Sequence, residues 1–168
     1  MFSVGILTVS DKGSRGERED LSSGAIKDSL APLNLNIVRQ DIVPDEKDRI
    51  AQRLTDWADS GEVDLIVTTG GTGLAPRDVT PDATLSIMDK EVPGFGEAIR
   101  AYGMTKVPTA ILSRSLAAIR KRTLIINLPG SPKAVTEGLE AIIKALPHAI
   151  ETLRGEVQNC AIEESQGI

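Results

Sequence analysis

Short apolar runs alternate with amphipathic stretches along the chain. The apolar runs predict strands at residues 2–10, 35–43, 65–67, 109–112 and 123–128. Apolar residues at helical spacing, bounded by proline or glycine, predict helices at 22–33, 46–59, 81–88, 94–105 and 133–154, the last one bent or broken at Pro147. We expect a mobile loop at 12–20 and a turn at or beside the basic run 119–122. Strands that alternate with helices predict an α/β fold, a three-layer sandwich with a mostly parallel central sheet.

Residues 64–84, DLIVTTGGTGLAPRDVTPDAT, form the most informative stretch. Its apolar run predicts a buried strand, which leads into three glycines and three threonines at residues 68–73. Glycine lets the backbone turn tightly and approach a ligand, and the exposed amides of such a turn bind anions such as phosphate. Thr80 as N-cap and Pro81 at the first helical position predict that a helix follows. We therefore interpret the turn as a phosphate site. A plain connector is the alternative, because the P-loop and dinucleotide glycine patterns are both absent.

Composition and charge narrow the function classes. The 168 residues, 40% of them hydrophobic, suit one domain, expected at residues 1–157 with a loosely held tail at 158–168. A net charge of −5 favours no nucleic-acid partner and no anionic membrane. No apolar run approaches the roughly 20 residues that span a bilayer, and no signal peptide is recognisable. Cys160 is the single cysteine, which excludes a disulfide framework and a cysteine metal site. These features favour a soluble, cytoplasmic protein.

Polar clusters follow the predicted strands. They are Ser10 with Asp11, residues 44–46, residues 70–78, Ser113 and residues 127–131. Because parallel strands end at the same edge of a sheet, we expect these clusters to converge on one pocket. Asp45 and Asp78 could hold a Mg²⁺ ion there that bridges phosphates. Two local alternatives stay open: Asp45 as the N-cap of the helix after Pro44, and Asp78 in a surface ion pair with Arg77.

Several motifs in a fixed order carry a resemblance to a known family. TTGGTG followed by RDVTPDAT, with PGFGEAIR at 93–100 and NLPGSPKAV at 127–135, resembles the molybdopterin adenylyltransferases of molybdenum cofactor biosynthesis. VPDE at 43–46 and LSRS at 112–115 match as well, so the resemblance covers essentially the whole chain. It implies a three-layer α/β fold, a homotrimer, and transfer of AMP from Mg–ATP to the terminal phosphate of molybdopterin, with release of pyrophosphate. It also implies that the adenylylated product passes to a separate molybdenum insertase.

The resemblance implies roles for individual residues. Asp45 and Asp78 match the two essential acids of the family, which would be catalytic and would organise Mg²⁺ on the ATP phosphates. The phosphate-binding turn of the family matches Gly70, Gly71, Thr72 and Gly73. Ser113 and Asn127 match positions that contact the pterin or orient the nucleotide. Pocket-lining positions are matched less tightly by Ser10, Asp11, Pro129, Gly130 and Ser131.

A non-catalytic molybdopterin-binding or assembly module is the alternative function. The acid pair separates the two hypotheses, because a module that only binds the pterin could lose Asp45 and Asp78, whereas this chain keeps both. A nicotinamide-dependent oxidoreductase is disfavoured, because Pro76 stands where the dinucleotide pattern requires its third glycine.

Overall fold

One mixed sheet forms the middle of the protein in the computed structural model, which describes residues 1–156. The strands are β1 (Phe2–Val9), β2 (Leu35–Val43), β3 (Leu65–Thr69), β4 (Lys90–Glu91), β5 (Ala117–Arg120) and β6 (Thr123–Leu128). They lie in the order β2-β1-β3-β6-β5-β4. The first four strands in that order are parallel, and β5 and β4 add an antiparallel edge. The prediction of a mostly parallel sheet is therefore confirmed.

Helices cover both faces of the sheet. They are α1 (Asp11–Ser14), α2 (Leu21–Leu30), α3 (Lys47–Asp59), α4 (Thr80–Ile87), α5 (Pro93–Met104), α6 (Pro132–Ile142) and α7 (Leu146–Arg154), with 3₁₀ turns at Pro108–Leu112 and Ile143–Ala145. Two separate cores result, because successive side chains of a strand point to opposite faces. Ile6 packs with the helices α2, α5, α6 and α7, whereas Leu7 packs with α3 and α4. This arrangement is the predicted three-layer sandwich.

The strand β3 lies at the centre of the parallel part of the sheet. All five of its residues are buried, as expected for a parallel strand that is covered on both faces. Its neighbours are β1 on one side and β6 on the other, in a continuous register that ends with Thr69 beside Thr8 and Leu128. The carboxyl ends of three adjacent strands therefore meet at one edge, where the predicted clusters lie.

Two predictions of local structure were wrong, and one was confirmed. The apolar run at 109–112 is part of a 3₁₀ turn, and Ile111 and Leu112 stay exposed. The basic run at 119–122 does lie at a turn, as predicted: it begins at the end of β5, and Lys121, with φ of 52°, and Arg122 form the turn to β6. The final helix is already interrupted after Ile142, since a 3₁₀ turn separates α6 from α7.

Two further features complete the comparison with the predictions. Pro147 lies in the first turn of α7, where its missing N–H has no partner to lose, so the break precedes the proline. The expected loop at 12–20 contains most of the short helix α1. Within residues 1–156, no helix is both long and apolar enough to cross a bilayer. The expected tail at 158–168 lies outside the described residues.

Candidate active site

The glycine turn after β3 is packed against the backbone of its neighbours. Gly70 and Gly71 have φ angles of 97° and 68°, a left-handed conformation that favours glycine. A Cβ atom on Gly70 would lie 2.3 Å from the carbonyl oxygen of Val9 at the end of β1. A Cβ atom on Gly130, in the loop after β6, would lie 3.3 Å from the Cα atom of Gly70. The turn therefore lies between two neighbouring strand ends with no room for side chains.

Hydrogen bonds attach the loop after β6 to this turn. The Thr69 hydroxyl donates to the Pro129 carbonyl over 2.7 Å, and the Gly70 N–H donates to the Leu128 carbonyl over 3.1 Å. From the other side, the Ser22 hydroxyl donates to the Gly130 carbonyl over 2.6 Å. The predicted convergence of the strand-end loops is thus found for the two loops that carry the glycine motifs.

The carboxylates of Asp45 and Asp78 lie close to two different glycines of the turn. A Cβ atom on Gly71 would be 3.3 Å from Asp45 Oδ1, and a Cβ atom on Gly73 would be 2.7 Å from Asp78 Oδ2. The N–H of Ala75 donates to Asp78 Oδ2 over 2.9 Å, which fixes the direction of that carboxylate. The glycines therefore make room for the two acids of the site.

Asp45 is held in an electrostatically unfavourable position. Burial raises the pKa of this carboxyl group above its ordinary value, and the negative charges of Asp11 and Asp78 raise it further. A hydrogen bond from the Asp11 N–H to Asp45 Oδ2, 2.8 Å long, acts in the opposite direction. Glu46, rather than Asp45, occupies the N-cap position of α3, and it makes no side-chain cap bond. The alternative in which Asp45 serves as that N-cap is therefore wrong.

Arg77 forms a bidentate ion pair with Asp11. The Nε and Nη2 atoms donate to the two carboxylate oxygens of Asp11 over 2.6 and 2.9 Å, and the Asp45 N–H donates to Asp11 Oδ1 over 3.0 Å. The hydrogen bonds from Arg77 lower the pKa of Asp11 in spite of some desolvation. Because Arg77 binds Asp11, the alternative of a local pair between Arg77 and Asp78 is wrong. The pair attaches the segment 74–79 to the first residue of α1.

Two cavities flank the glycine turn. The first, of about 360 Å³, is lined by residues that include Thr8, Ser10, Asp20 and Gly70. The second, of about 470 Å³, is lined by Gly71, Thr72, Gly73, Asp78, Ser113 and Pro129, with an apolar wall that includes Ile99, Val107 and Leu112. Gly130 and Ser131 line both cavities. The structure therefore offers two adjoining compartments that share one wall.

Most residues of the predicted site line these compartments, but Asp11, Asp45 and Asn127 line neither cavity. Asp45 lines a separate depression together with Glu46 and Arg77.

Asn127 lies within β6 and is completely buried. Its amide nitrogen donates to the hydroxyls of Thr68 and Thr84 over 3.0 Å each. The Thr84 hydroxyl donates to the Thr80 carbonyl, and the Thr80 hydroxyl donates to the Gly70 carbonyl over 2.9 Å. Asn127 therefore supports the turn from the core instead of facing a ligand in this structure.

Some residues that shape the cavities were not found from the sequence. Asp20 caps α2 and accepts a hydrogen bond from the Thr8 hydroxyl over 2.7 Å, and no role was predicted for this residue of the 12–20 loop. Arg100 donates to the Ser115 carbonyl over 2.6 Å and lines the second cavity. Arg114, between the two serines of LSRS, contacts the glycine turn. The LSRS motif had pointed to Arg114, but we predicted no role for the positive charge of this residue.

The acid pair is suited to Mg²⁺ only together with other oxygen ligands. Among the described residues, no group of three or more His, Cys, Asp or Glu side chains could hold a metal ion. Mg²⁺ commonly binds through one or two carboxylates plus substrate phosphates and water. Burial is the main cause of the raised pKa of Asp45, and the negative charges of Asp11 and Asp78 add to it. A divalent cation would relieve this repulsion between carboxylates. Asp45 and Asp78 thus fit a cation that arrives with a phosphate ligand.

A family profile described as a probable molybdopterin binding domain matches residues 5–148. The chain belongs to this family. Two similar proteins are named molybdopterin adenylyltransferase. The one from Helicobacter pylori (strain J99) is 47% identical over 154 residues, which cover 90% of this chain and 88% of that protein. The one from Escherichia coli (strain K12) is 40% identical over 95% of this chain and 89% of that protein. The resemblance carried by the motifs is therefore confirmed.

Solved structures of similar proteins share the fold. The molybdopterin biosynthesis enzyme MoaB from Thermus thermophilus matches with a TM-score of 0.88 and 54% identity, over 92% of this chain and 98% of that one. The tungsten cofactor synthesizing protein MoaB from Pyrococcus furiosus matches with a TM-score of 0.82 and 40% identity, over 91% and 97%. Members of this family fold as this chain does across nearly its whole length.

The variant Gly73→Ala tests whether adenylyl transfer depends on the position of the Asp78 carboxylate. The added Cβ would lie 2.7 Å from Asp78 Oδ2, so the carboxylate must swing away. We expect adenylyl transfer, the reaction for which the relatives are named, to fall about tenfold or more, while the free energy of unfolding changes by no more than about 1 kcal/mol. Rate assays and thermal unfolding check this. Gly94→Ala is the control, since nothing lies within 4 Å of its added Cβ. Unchanged transfer in Gly73→Ala would contradict the role given to Asp78.

Asp45→Asn should raise the thermal unfolding midpoint at neutral pH when no divalent cation is present. The pKa of Asp45 is raised in the folded protein, so its charged form destabilises the fold. Asparagine removes the charge and keeps an oxygen that accepts the Asp11 N–H. As the pH falls towards the ordinary pKa of 3.8, the native carboxyl group takes up a proton, and the difference between the two proteins should vanish.

Asp11→Asn is the matched comparison and should act in the opposite direction. The pKa of Asp11 is lowered by its hydrogen bonds with Arg77, so its charged form stabilises the fold at neutral pH. That stabilisation is lost as the pH falls through the lowered pKa of the folded protein. The midpoint of Asp11→Asn should therefore lie below that of the native protein at pH 7. Lower midpoints for both variants would contradict the account of Asp45.

Proposed function

We propose that this chain is a molybdopterin adenylyltransferase, which moves AMP from ATP to the terminal phosphate of molybdopterin and releases pyrophosphate. The observation that carries the proposal is the pair of cavities that share Gly130 and Ser131 beside one glycine turn. Transfer between two polyanions requires two adjoining sites whose phosphates meet at one point. Asp78 lines the second cavity, and Asp45 lies close to Gly71 of the same turn, outside the lining of both cavities. Membership of the family and the names of the relatives support the same reaction.

We assign molybdopterin to the second cavity and ATP to the first. Ser113, which belongs to the LSRS motif, lines the second cavity, where an apolar wall is available for a flat ring. The first cavity presents the hydroxyls of Thr8 and Ser10 and the carboxylate of Asp20, which suit the hydroxyls of a ribose. The phosphates of both substrates would then meet at the backbone amides of residues 71–73. Asn127 would act by holding this turn from the core.

The chemical step needs positioning more than it needs a base. An oxygen of the molybdopterin phosphate attacks the α-phosphorus of ATP, and a new P–O–P bridge forms. The bond from the α-phosphorus to the oxygen that bridges it to the β-phosphorus breaks, and its electron pair leaves with pyrophosphate. Because the attacking oxygen is already anionic, no side chain has to remove a proton. The turn and the two cavity walls hold the reacting groups in line, which supplies most of what this step requires.

Asp45 and Asp78 would hold a Mg²⁺ ion that arrives with the nucleotide. When bound, Mg²⁺ neutralises charge on the phosphates of ATP and on the departing pyrophosphate. Asp78 is fixed by the Ala75 N–H, and Asp45 keeps Oδ1 on the side of Gly71 while its other oxygen accepts a hydrogen bond. Each acid therefore has one oxygen constrained by the chain and one available for a ligand.

Asp78→Ala and Asp45→Ala test the enzyme against the binding module. Purified protein is mixed with molybdopterin, ATP and Mg²⁺, and adenylylated pterin is followed by mass spectrometry. We expect turnover to fall by orders of magnitude in each variant while pterin affinity stays within a few fold, since removal of a nearby negative charge does not weaken the binding of an anion. Asp59→Ala is the control, because Asp59 pairs with Arg120 away from both cavities.

The outcomes separate the two functions. Near-normal turnover in both variants would show that the acids are structural and that the mechanism is wrong. Loss of pterin binding together with turnover would favour a role for the acids in shaping the pocket. A native protein that binds pterin but forms no product would establish the binding module instead.

We further propose a cytoplasmic homotrimer that hands its product to a separate molybdenum insertase. The trimer rests on the family resemblance, and large apolar side chains such as Leu74 and Ile111, 65% and 63% exposed on a single copy, are consistent with a covered surface. Sedimentation equilibrium at micromolar concentration should give three times the 17.9 kDa mass of the chain. A single species of monomer mass would overturn the trimer without affecting the reaction.

A further inference from the structure

Arg114 forms several hydrogen bonds with the glycine turn and with the segment after it, and the proposed reaction gives this residue no role. Its backbone N–H donates to the Thr72 carbonyl over 2.8 Å. Its Nε donates to the Gly73 carbonyl over 3.0 Å, and its Nη2 donates to the Asp78 carbonyl. Nη1 and Nη2 also bind the carboxylate of Asp82 in α4, at 3.0 to 3.2 Å. One side chain thus reaches the turn, the segment after it and the following helix.

These contacts fasten both ends of the segment that carries Asp78. Gly73 and Asp78 begin and end a six-residue loop, and the rigid, planar guanidinium of Arg114 donates to the carbonyls of both. Within the loop, the Asp78 N–H donates to the Ala75 carbonyl and the Ala75 N–H donates to the Asp78 carboxylate, each over 2.9 Å. Hydrogen bonds within the loop and hydrogen bonds from Arg114 therefore both hold the loop in its conformation.

We propose that Arg114 is a positioning residue that sets the place of the Asp78 carboxylate relative to the second cavity. The same segment supplies Ser113 to the lining of that cavity, so one short stretch joins the cavity wall to the acid. Asp82 holds the guanidinium in its orientation through the ion pair. This inference rests on the proposed site, because it assigns to Asp78 the ligand role proposed above.

The geometry requires arginine and not only a positive charge. The guanidinium is planar and carries five N–H donors, so it can serve two carbonyls and a carboxylate at once. The ammonium group of a lysine is a single point that could keep the pair with Asp82 but could not reach both carbonyls. The hydrogen bonds with Arg114 also lower the pKa of Asp82, which favours its charged form as the partner of the guanidinium.

The chain contains a matched arginine away from the site. Arg120 binds the carboxylate of Asp59 through two hydrogen bonds of 2.8 Å and donates to the Ile87 carbonyl over 2.7 Å. Like Arg114, it joins a carboxylate to a backbone carbonyl, but it lines neither cavity. Arg120→Lys therefore reproduces the loss of a bidentate arginine without touching the turn.

The experiment compares Arg114→Lys, Asp82→Asn and Arg120→Lys with the native protein. Four quantities are measured: the thermal unfolding midpoint, kcat at saturating substrates, the Mg²⁺ concentration for half-maximal turnover, and the calorimetric affinity for a non-hydrolysable ATP analogue with and without Mg²⁺. We expect Arg114→Lys to raise the Mg²⁺ requirement and to weaken Mg²⁺-dependent analogue binding by about tenfold or more. Analogue binding without Mg²⁺ should stay within a few fold. Asp82→Asn should show the same pattern to a smaller extent, and Arg120→Lys should change only the unfolding midpoint.

Each outcome decides the proposal. It is overturned if Arg114→Lys keeps native Mg²⁺-dependent binding, or if Arg114→Lys and Arg120→Lys lose binding and turnover equally. If Arg114→Lys does not fold, Asp82→Asn provides the decision, because it retains the arginine and removes only its anchor. A native protein without AMP transfer would overturn the proposed function, whereas the Mg²⁺-dependent binding of the analogue would still decide the role of Arg114.

Discussion

The site depends on a backbone contact at which no side chain fits. Gly70 lies against the Val9 carbonyl on one side and against Gly130 on the other, since the parallel strands β1, β3 and β6 are neighbours in the sheet. Strand spacing in a sheet is about 4.8 Å, so loops that leave adjacent strands at one level can touch through their backbones only where glycine removes the Cβ atoms. The two cavities and their common wall follow from this contact. Asp45 and Asp78 lie close to the neighbouring glycines of the same turn.

The sequence correctly predicted the elements that are buried along their whole length. The prediction failed where the burial of an element depends on residues far away in the chain. The run that became β3 stands out because a strand covered on both faces must be apolar throughout. The similar run at 109–112 does not form a strand, since Ile111 and Leu112 face outwards. Exposure is decided by the rest of the fold and not by the run itself. The short strand β5 was not predicted for the same reason, because it is its pairing with β6 that makes it a strand.

The sequence predicted which residues belong to the site, but it did not predict which other residues they contact. Motif and strand-end position indicated Asp45, Asp78 and the glycine turn before any geometry was known. The ion pair of Arg77 with Asp11 joins residues 66 positions apart, and no local spacing signals it. Asn127 was assigned to a ligand because it opens the NLPGS motif, yet the strand β6 continues through it and places its amide among core threonines. In each case, the partner lies in another element of the fold.

The shared wall of the two cavities has a consequence for the release of the product. Under the proposed reaction, adenylylated molybdopterin carries both ligand groups on one covalent chain, and it is therefore bivalent for two compartments that adjoin at Gly130 and Ser131. When one end dissociates, the other end keeps it at a high effective concentration, so rebinding outcompetes escape. Either substrate, held in one compartment, leaves more readily than the product that combines them. Under the proposed reaction, such retention would slow the departure of the product and would give the proposed insertase time to collect it.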